Sequence, residues 1–204
     1  MIDFDSKARE WDANPVFVER GRKIAEAIRA QVALKQNMQA LDYGCGTGLL
    51  SFPLKDGLGH ITLKDTSTGM LEVLREKIAA QGVNNMTVRQ ADLTAEPLPD
   101  ERYDLIYSSM TLHHIPDTGH ILRVFRDLLN PGGTLCLADL DREDGSFHGL
   151  EVDVHHGFNR AALATQAERA GFADIRFDTV FEIVKESETG ARAYPVFLMT
   201  AARP

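Results

Sequence analysis

A short apolar run ends in an acid and then in three glycines at alternate positions: Leu41-Asp42-Tyr43-Gly44-Cys45-Gly46-Thr47-Gly48. Glycine at every second position lets the backbone turn sharply and approach a ligand closely. A helix that follows such a turn offers free N–H groups to whatever lies there. The run Met38–Leu41 reads as a buried strand, and a helix is expected from about Thr47. Pro53 is awkward inside that helix and marks either a late start or a kink.

The rest of the chain repeats this alternation. Residues 16–35 read as an amphipathic helix with Val16, Ile24, Ala27, Ile28, Ala30 and Leu34 on one stripe. His60–Lys64 is strand-like, and the turn Asp65-Thr66-Ser67 leads into a helix over 68–81 whose Met70, Leu71, Leu74 and Ile78 share a face. Met86–Gln90 and Tyr103–Tyr107 follow as strands. A helix over about 117–129 stops at the breaker Asn130-Pro131-Gly132-Gly133, and Gly133–Leu140 is an apolar strand. Ala161–Ala170 is helical, and Ile175–Val184 and Val196–Ala202 are two closing strands parted by a charged loop around Glu186–Ala193. Strands alternating with helices at this spacing imply parallel βαβ units, hence a doubly wound α/β domain. Ligands in such sheets bind beyond the carboxyl ends of the strands.

The turn's spacing narrows the ligand. A dinucleotide fingerprint, G-x-G-x-x-G, would need its third glycine at position 49, which is Leu49. Asp42 beside the loop suits a cationic ligand better than a diphosphate. Asp65, 21 residues after Gly44, lies where a carboxylate can accept from both ribose hydroxyls of an adenosine. It could instead cap the next helix, although Ser67 can take that task. Ala91-Asp92-Leu93 can accept from an adenine amino group and cover its ring, or be an ordinary turn.

Taken together, the segments ALDYGCGTG (40–48), DTSTGML (65–71), ADL (91–93), YDLIYSSMTLHHIPD (103–117) and LLNPGGTLCLAD (128–139) resemble the class I S-adenosylmethionine-dependent methyltransferases. They are most similar to the small-molecule branch that includes ubiquinone/menaquinone-biosynthesis-like enzymes. FDSKAREWDANP (4–15) and the late GFNRAAL and AERAGF segments also fit, so the resemblance covers nearly the whole chain. It implies one Rossmann-like domain over 1–204 with a mostly parallel seven-stranded sheet and an antiparallel last strand. Residues 1–36 would be a helical lid and 37–204 the core. It further implies that Gly44, Cys45 and Gly46 cradle the methionine part with Asp42 nearby, and that Asp65 holds the ribose. Thr66 would lie beside the adenine, Met70 would also belong to the cofactor site, Asp92 and Leu93 would bind the adenine amino group and face, and Ser109 would lie near the amino-acid end. Trp11 would belong to the lid.

A proton acceptor, if the reaction uses one, has several candidates. His113 and His114 follow the fourth strand, and His148, His155 and His156 follow the fifth. Imidazole titrates near neutrality, so any of them can take a proton, with His113 and His148 favoured, or merely shape the pocket. A histidine metal site is not expected, since adjacent pairs point apart in an extended chain and no H-x-x-x-H spacing exists. Asp139 and Asp141 read as solvated strand ends rather than as ligands of a metal or acceptor.

Composition and absent motifs limit the partners. The net charge is −8, from 22 Lys and Arg against 30 Asp and Glu, which disfavours a polyanionic nucleic acid partner. Arg20, Arg22, Lys23 and Arg29 form a small basic patch that reads as the solvated face of a helix. The fourth strand ends in YSSM rather than an NPPY-like motif, and neither a Pro-Cys nucleophile nor a paired-glutamate loop is present, which leaves a small-molecule acceptor. Cys45 and Cys136 form no disulfide framework, the opening Met1-Ile-Asp-Phe-Asp has no signal-peptide pattern, and no apolar run of about 20 residues exists. The expected compartment is the cytoplasm, with monomer and homodimer both open. Two other classes stay open: a non-catalytic cofactor-binding scaffold, and a nucleotide-dependent oxidoreductase, which Leu49 argues against.

Overall fold

A computed structural model describes residues 3–95, 100–187 and 190–204. Seven strands form one sheet: β1 (Gln39–Tyr43), β2 (His60–Asp65), β3 (Met86–Gln90), β4 (Tyr103–Ser109), β5 (Leu129–Leu140), β6 (Ala173–Ser187) and β7 (Gly190–Ala202). Their spatial order is β3-β2-β1-β4-β5-β7-β6. The first five are parallel, and β7 runs antiparallel to both β5 and β6. This is the doubly wound sheet that the sequence predicts, with its antiparallel end. The strand order reverses beside β1, so β1 and β4 flank the crevice where such sheets take ligands.

Alternation along the inner strands divides the core into two layers. Ala40 and Leu105 pack on one face with Ile24, Ile28, Leu71 and Leu74, while Leu41 and Ile106 pack on the other with Leu122, Phe125 and Leu163. The first layer is covered by α1 (Pro15–Gln31) and α3 (Thr68–Ala80), the second by α4 (Thr118–Leu128) and α5 (Arg160–Arg169). These four helices each start on a side-chain cap: Asn14, Ser67, Asp117 and Asn159 accept from Val16, Met70, His120 and Ala162 N–H respectively. Among the described residues no helix is long and apolar enough to cross a membrane.

Four local expectations are corrected. The buried face of α1 is Arg20, Gly21, Ile24, Ala25 and Ile28, whereas Val16 and Ala30 are exposed and the helix stops at Gln31. A Cβ on Gly21 would meet the Leu49 carbonyl oxygen at 2.9 Å, so α1 lies directly on the exit of the glycine turn. The helix after that turn begins at Ser51 and lasts one α-turn, α2 (Ser51–Leu54), before a 3-10 turn over Lys55–Gly57. Pro53 fits because the first helical turn has no use for its missing N–H. The Asn130–Gly133 breaker is drawn into β5, with Gly132 N–H donating to Arg203 and the register slipping between Tyr103 and Leu105. The charged loop around Glu186–Ala193 is the tip of a hairpin, in which Lys185 pairs with Arg192 and Glu186 with Ala191.

Phe125 is 1% exposed and meets Tyr43 edge-on at 5.6 Å, tying α4 to the end of β1. Replacing it with alanine is expected to remove about 3–5 kcal/mol of stability, read by urea denaturation. A loss under 1 kcal/mol would mean that α4 is not anchored there.

Candidate functional site

The glycine turn is held by the end of β2. Gly44 and Cys45 N–H both donate to the Lys64 carbonyl, at 2.8 and 3.2 Å, and Gly46 N–H donates to Asp65 Oδ2 at 2.8 Å. Gly44, Gly46 and Gly48 all have positive φ, which only glycine adopts freely. A Cβ on Gly44 would strike Thr111 Oγ1 at 2.2 Å, whereas one on Gly46 would meet nothing within 4 Å. The turn therefore packs against the β4 loop on one side and has room on the other. Cys45 is buried, its thiol pushed well up by the loss of solvent and the nearby Asp42 and Asp65.

The two acids behave differently. Asp42 is 2% exposed and accepts from Ser51 Oγ at 2.7 Å, and that hydroxyl also meets Tyr107 Oη at 2.6 Å. Asp42 thus braces the underside of the turn, and burial raises its carboxyl to about 7. Asp65 also accepts from Ser67 N–H at 2.9 Å, while Ser67 Oγ caps α3, so the capping task does fall to the serine. Burial raises Asp65 despite its backbone donors at Ser67, Gly46 and Thr66.

Further along the crevice, Thr66 is exposed and its carbonyl accepts from Gln90 at 2.9 Å, while Met70 is buried at the start of α3. Leu93 is 2% exposed. Asp92 closes its own turn by accepting from Thr94 N–H at 2.9 Å and Oγ1 at 2.6 Å, and it also bonds the Tyr43 side chain. The turn reading of this residue is therefore what the structure shows. Lys64 turns away to the other side, pairing with Glu101 at 2.7 Å.

The N-terminal segment lies across the opening. Asp5 accepts from Ser67 Oγ at 2.5 Å and from Gly69 N–H at 2.9 Å, at the start of α3. Asp12 accepts from Thr47 Oγ1 at 2.5 Å and pairs with Lys77 at 2.5 Å. Between these ties Trp11 stacks with Phe17 at 4.5 Å and meets Phe4 at 6.0 Å. Arg20 departs from the solvated face read in the sequence. It is 9% exposed, lies 5.0 Å from the Phe17 ring, and burial lowers its guanidinium to about 10 against the pull of Asp139. Its spacing of four to Ile24 and eight to Ile28 was the available signal that it shares their buried stripe.

At the end of β4 the chain passes Ser109 and enters Met110 with φ 56°, a left-handed conformation that is costly for a side chain of this size. That bend leads to a 3-10 turn over Leu112–His114, which sends both imidazoles to one side, their ring centres 4.1 Å apart. The divergence expected from an extended chain therefore does not occur. His113 is 1% exposed, with Nδ1 2.7 Å from Asp139 Oδ1 and Nε2 3.0 Å from His148 Nε2. Asp139 is fully buried, not a solvated strand end, and it also accepts from His113 N–H at 3.2 Å. Burial and neighbouring positive charge lower His114 to about 3 and His148 to about 4. Asp141 instead takes a two-pronged pair from Arg160 at 2.7 and 2.6 Å. His155 Nε2 lies 3.0 Å from the Ile115 carbonyl and pins that loop. His156 is half-buried, and its backbone carbonyl accepts from Glu143 N–H at 2.9 Å.

A mostly parallel sheet of this order, with a glycine turn after β1 and an acid ending β2, is the arrangement of the class I S-adenosylmethionine-dependent methyltransferases. The family model for the methyltransferase domain matches residues 34–189, and the chain belongs to that family. It is 24% identical to the sterol 4-C-methyltransferase of Caenorhabditis elegans over 90% of this chain and 62% of that protein. It is 33% identical to the ubiquinone/menaquinone biosynthesis C-methyltransferase of Shewanella sediminis over 53% and 45%. The chain thus spans about half the length of the curated relatives it matches. Phosphoethanolamine N-methyltransferase 2 of Haemonchus contortus, solved with S-adenosylmethionine, superposes with a TM-score of 0.73 at 16% identity, covering all of this chain and 60% of that one.

Asp42 generates a pH test of this geometry. Its folded pKa, about 7, lies above the ordinary 3.8, so the folded chain takes up a proton there. Stability from this group is full below pH 4 and is lost as pH rises towards 7. Asp42→Asn should therefore be more stable than the parent at pH 8 in urea melts, with the advantage shrinking towards pH 5. An advantage independent of pH would refute the buried carboxyl.

Proposed function

We propose that this chain transfers a methyl group from S-adenosylmethionine to an oxygen, nitrogen or carbon atom of a small molecule. The observation that carries the reading is the open space beside Gly46, bounded by Asp65 and overlaid by the tied-down N-terminal segment. Asp65 keeps acceptor capacity for ribose hydroxyls, Asp92 and Leu93 face the adenine end, and the Gly44–Gly46 backbone borders the methionine part. Arg20, a buried cation, suits that part's carboxylate. When bound, the cofactor supplies a methyl group on a cationic sulfur, open to in-line displacement.

The protein's own contribution is placement in a dry crevice, which can supply roughly 7–11 kcal/mol. The N-terminal segment over residues 3–14, with Trp11 tied between Phe4 and Phe17, excludes water. His148, beside His113 and Asp139, takes a proton from an acceptor that must lose one, although burial and neighbouring charge lower it to about 4 and make it a weaker base at neutral pH than an ordinary imidazole. The acidic chain and its relatives' names support a small-molecule acceptor, with the whole chain acting as one domain in the cytoplasm.

Thermal unfolding tests the cofactor. S-adenosylhomocysteine at 100 times its Kd should stabilise by about 2.7 kcal/mol, a rise of several degrees at roughly 2–4 °C per kcal/mol. Asp65→Ala should abolish the rise, and NAD should give none. A rise with NAD alone would replace this reading with the oxidoreductase. Binding without S-adenosylhomocysteine release from any acceptor would favour the scaffold. Because Trp11 is the sole tryptophan, its emission should shift on adding S-adenosylhomocysteine. An unchanged spectrum with bound ligand would remove Trp11 from the lid.

A further inference from the structure

His113, His114 and His148 each bring a ring nitrogen into one group, and these nitrogens all lie within 4.8 Å of one another. Three imidazoles around a cation at about 2.0–2.1 Å would stand roughly 3.3 Å apart in a tetrahedral set. His113 and His148 already meet at 3.0 Å, close to that spacing. His114 is half-buried at the last position of its 3-10 turn, with a ring nitrogen within 4.8 Å of those of His113 and His148.

What lies behind the first ring strengthens the case. The Asp139 carboxylate faces His113 Nδ1, which fixes the proton on that nitrogen and leaves the Nε2 lone pair aimed at the group. Asp139 is itself fixed by the N–H groups of His113 and Leu140. A carboxylate behind an imidazole in this manner orients metal-bound histidines and raises their basicity. The contact between His113 and His148 Nε2 then requires a proton on the His148 nitrogen. A cation can replace that proton once His148 carries its hydrogen on Nδ1. His114 and His148 are both partly exposed, so the group is reachable from solvent, and Phe4 of the N-terminal segment meets His114 edge-on at 5.4 Å.

We propose that His113, His114 and His148 form a three-imidazole site for one divalent first-row transition cation, with further positions left to water or to a donor atom of the acceptor. All-imidazole ligation suits zinc, iron, nickel or copper rather than magnesium or calcium. Three protein ligands with an open position are the arrangement of reactive rather than structural sites. A cation there would lower the pKa of an acceptor hydroxyl bound to it, so that its proton passes to bulk water before methyl transfer and His148 is not needed as the base. The site stands on side-chain placement and does not depend on the cofactor reading.

The test uses the full chain, stripped by chelator and titrated with Co²⁺ alone, followed by visible absorption and equilibrium dialysis. One Co²⁺ per chain with d–d bands that Zn²⁺ abolishes is the expected result. His114→Gln and His148→Gln, both at partly exposed positions, should each lose the bands while keeping the parent's far-ultraviolet circular dichroism. Asp139→Asn should weaken Co²⁺ binding by about 10–100-fold. A folded chain that takes up neither Co²⁺ nor Zn²⁺ overturns the proposal, and so does uptake that survives both histidine substitutions. The S-adenosylhomocysteine thermal shift, measured on the same stripped chain, separates a failed metal site from a failed cofactor site.

Discussion

The hold of β2 on the glycine turn is the contact from which the rest of the crevice follows. Lys64 gives its carbonyl to two successive N–H groups of the turn, and Asp65 gives a carboxylate oxygen to a third. Those bonds fix where the turn points. Gly21 then seats α1 on its exit, Thr47 receives Asp12, and Ser67 receives Asp5. A shift at the end of β2 would carry the floor, the wall and the cover of the crevice with it. Asp42 and Tyr107 brace the same turn from beneath through one serine hydroxyl, so the braces are buried while the working surface stays accessible.

The second dense region is electrostatic in another way. Three imidazoles gather beside one buried carboxylate, and burial opposes the charged forms of His114 and His148. A protein that gathers such groups without an anion would lose stability to mutual repulsion at low pH. Asp139, near the carboxyl end of the interior strand β5, is the counterweight. Its depth explains why a residue that reads in sequence as a strand-end acid is among the most buried side chains of the chain.

Much of the fold was legible because local pattern and tertiary packing agree. Met86–Gln90 forms its strand over the residues that the pattern assigns, and Leu71 and Leu74 bury the face their spacing predicts. The misreadings arise where tertiary packing outweighs local signals. Asn130–Gly133 carries strong turn residues, yet the carboxyl-terminal Arg203 bonds its backbone and draws it into β5. Arg20 was read by its charge, whereas its helical position places it among Ile24 and Ile28. The glycine turn could be found from spacing, since its positive φ angles demand glycine, and the acid that ends β2 could be found from its distance to that turn. The histidine cluster could not, because His148 reaches His113 across 35 positions and only the left-handed bend at Met110 and the 3-10 turn after it aim the rings together.

The antiparallel end of the sheet has a consequence for how the chain is made. β7 lies between β5 and β6, yet it is the last of the seven strands in chain order. While the polypeptide emerges from the ribosome, β5 keeps a row of unpaired backbone groups on one edge until residue 202 has appeared. An open apolar edge of this kind is where nascent chains associate wrongly. The domain therefore completes its sheet late, and the interval between β5 and β7 is its most vulnerable period for aggregation.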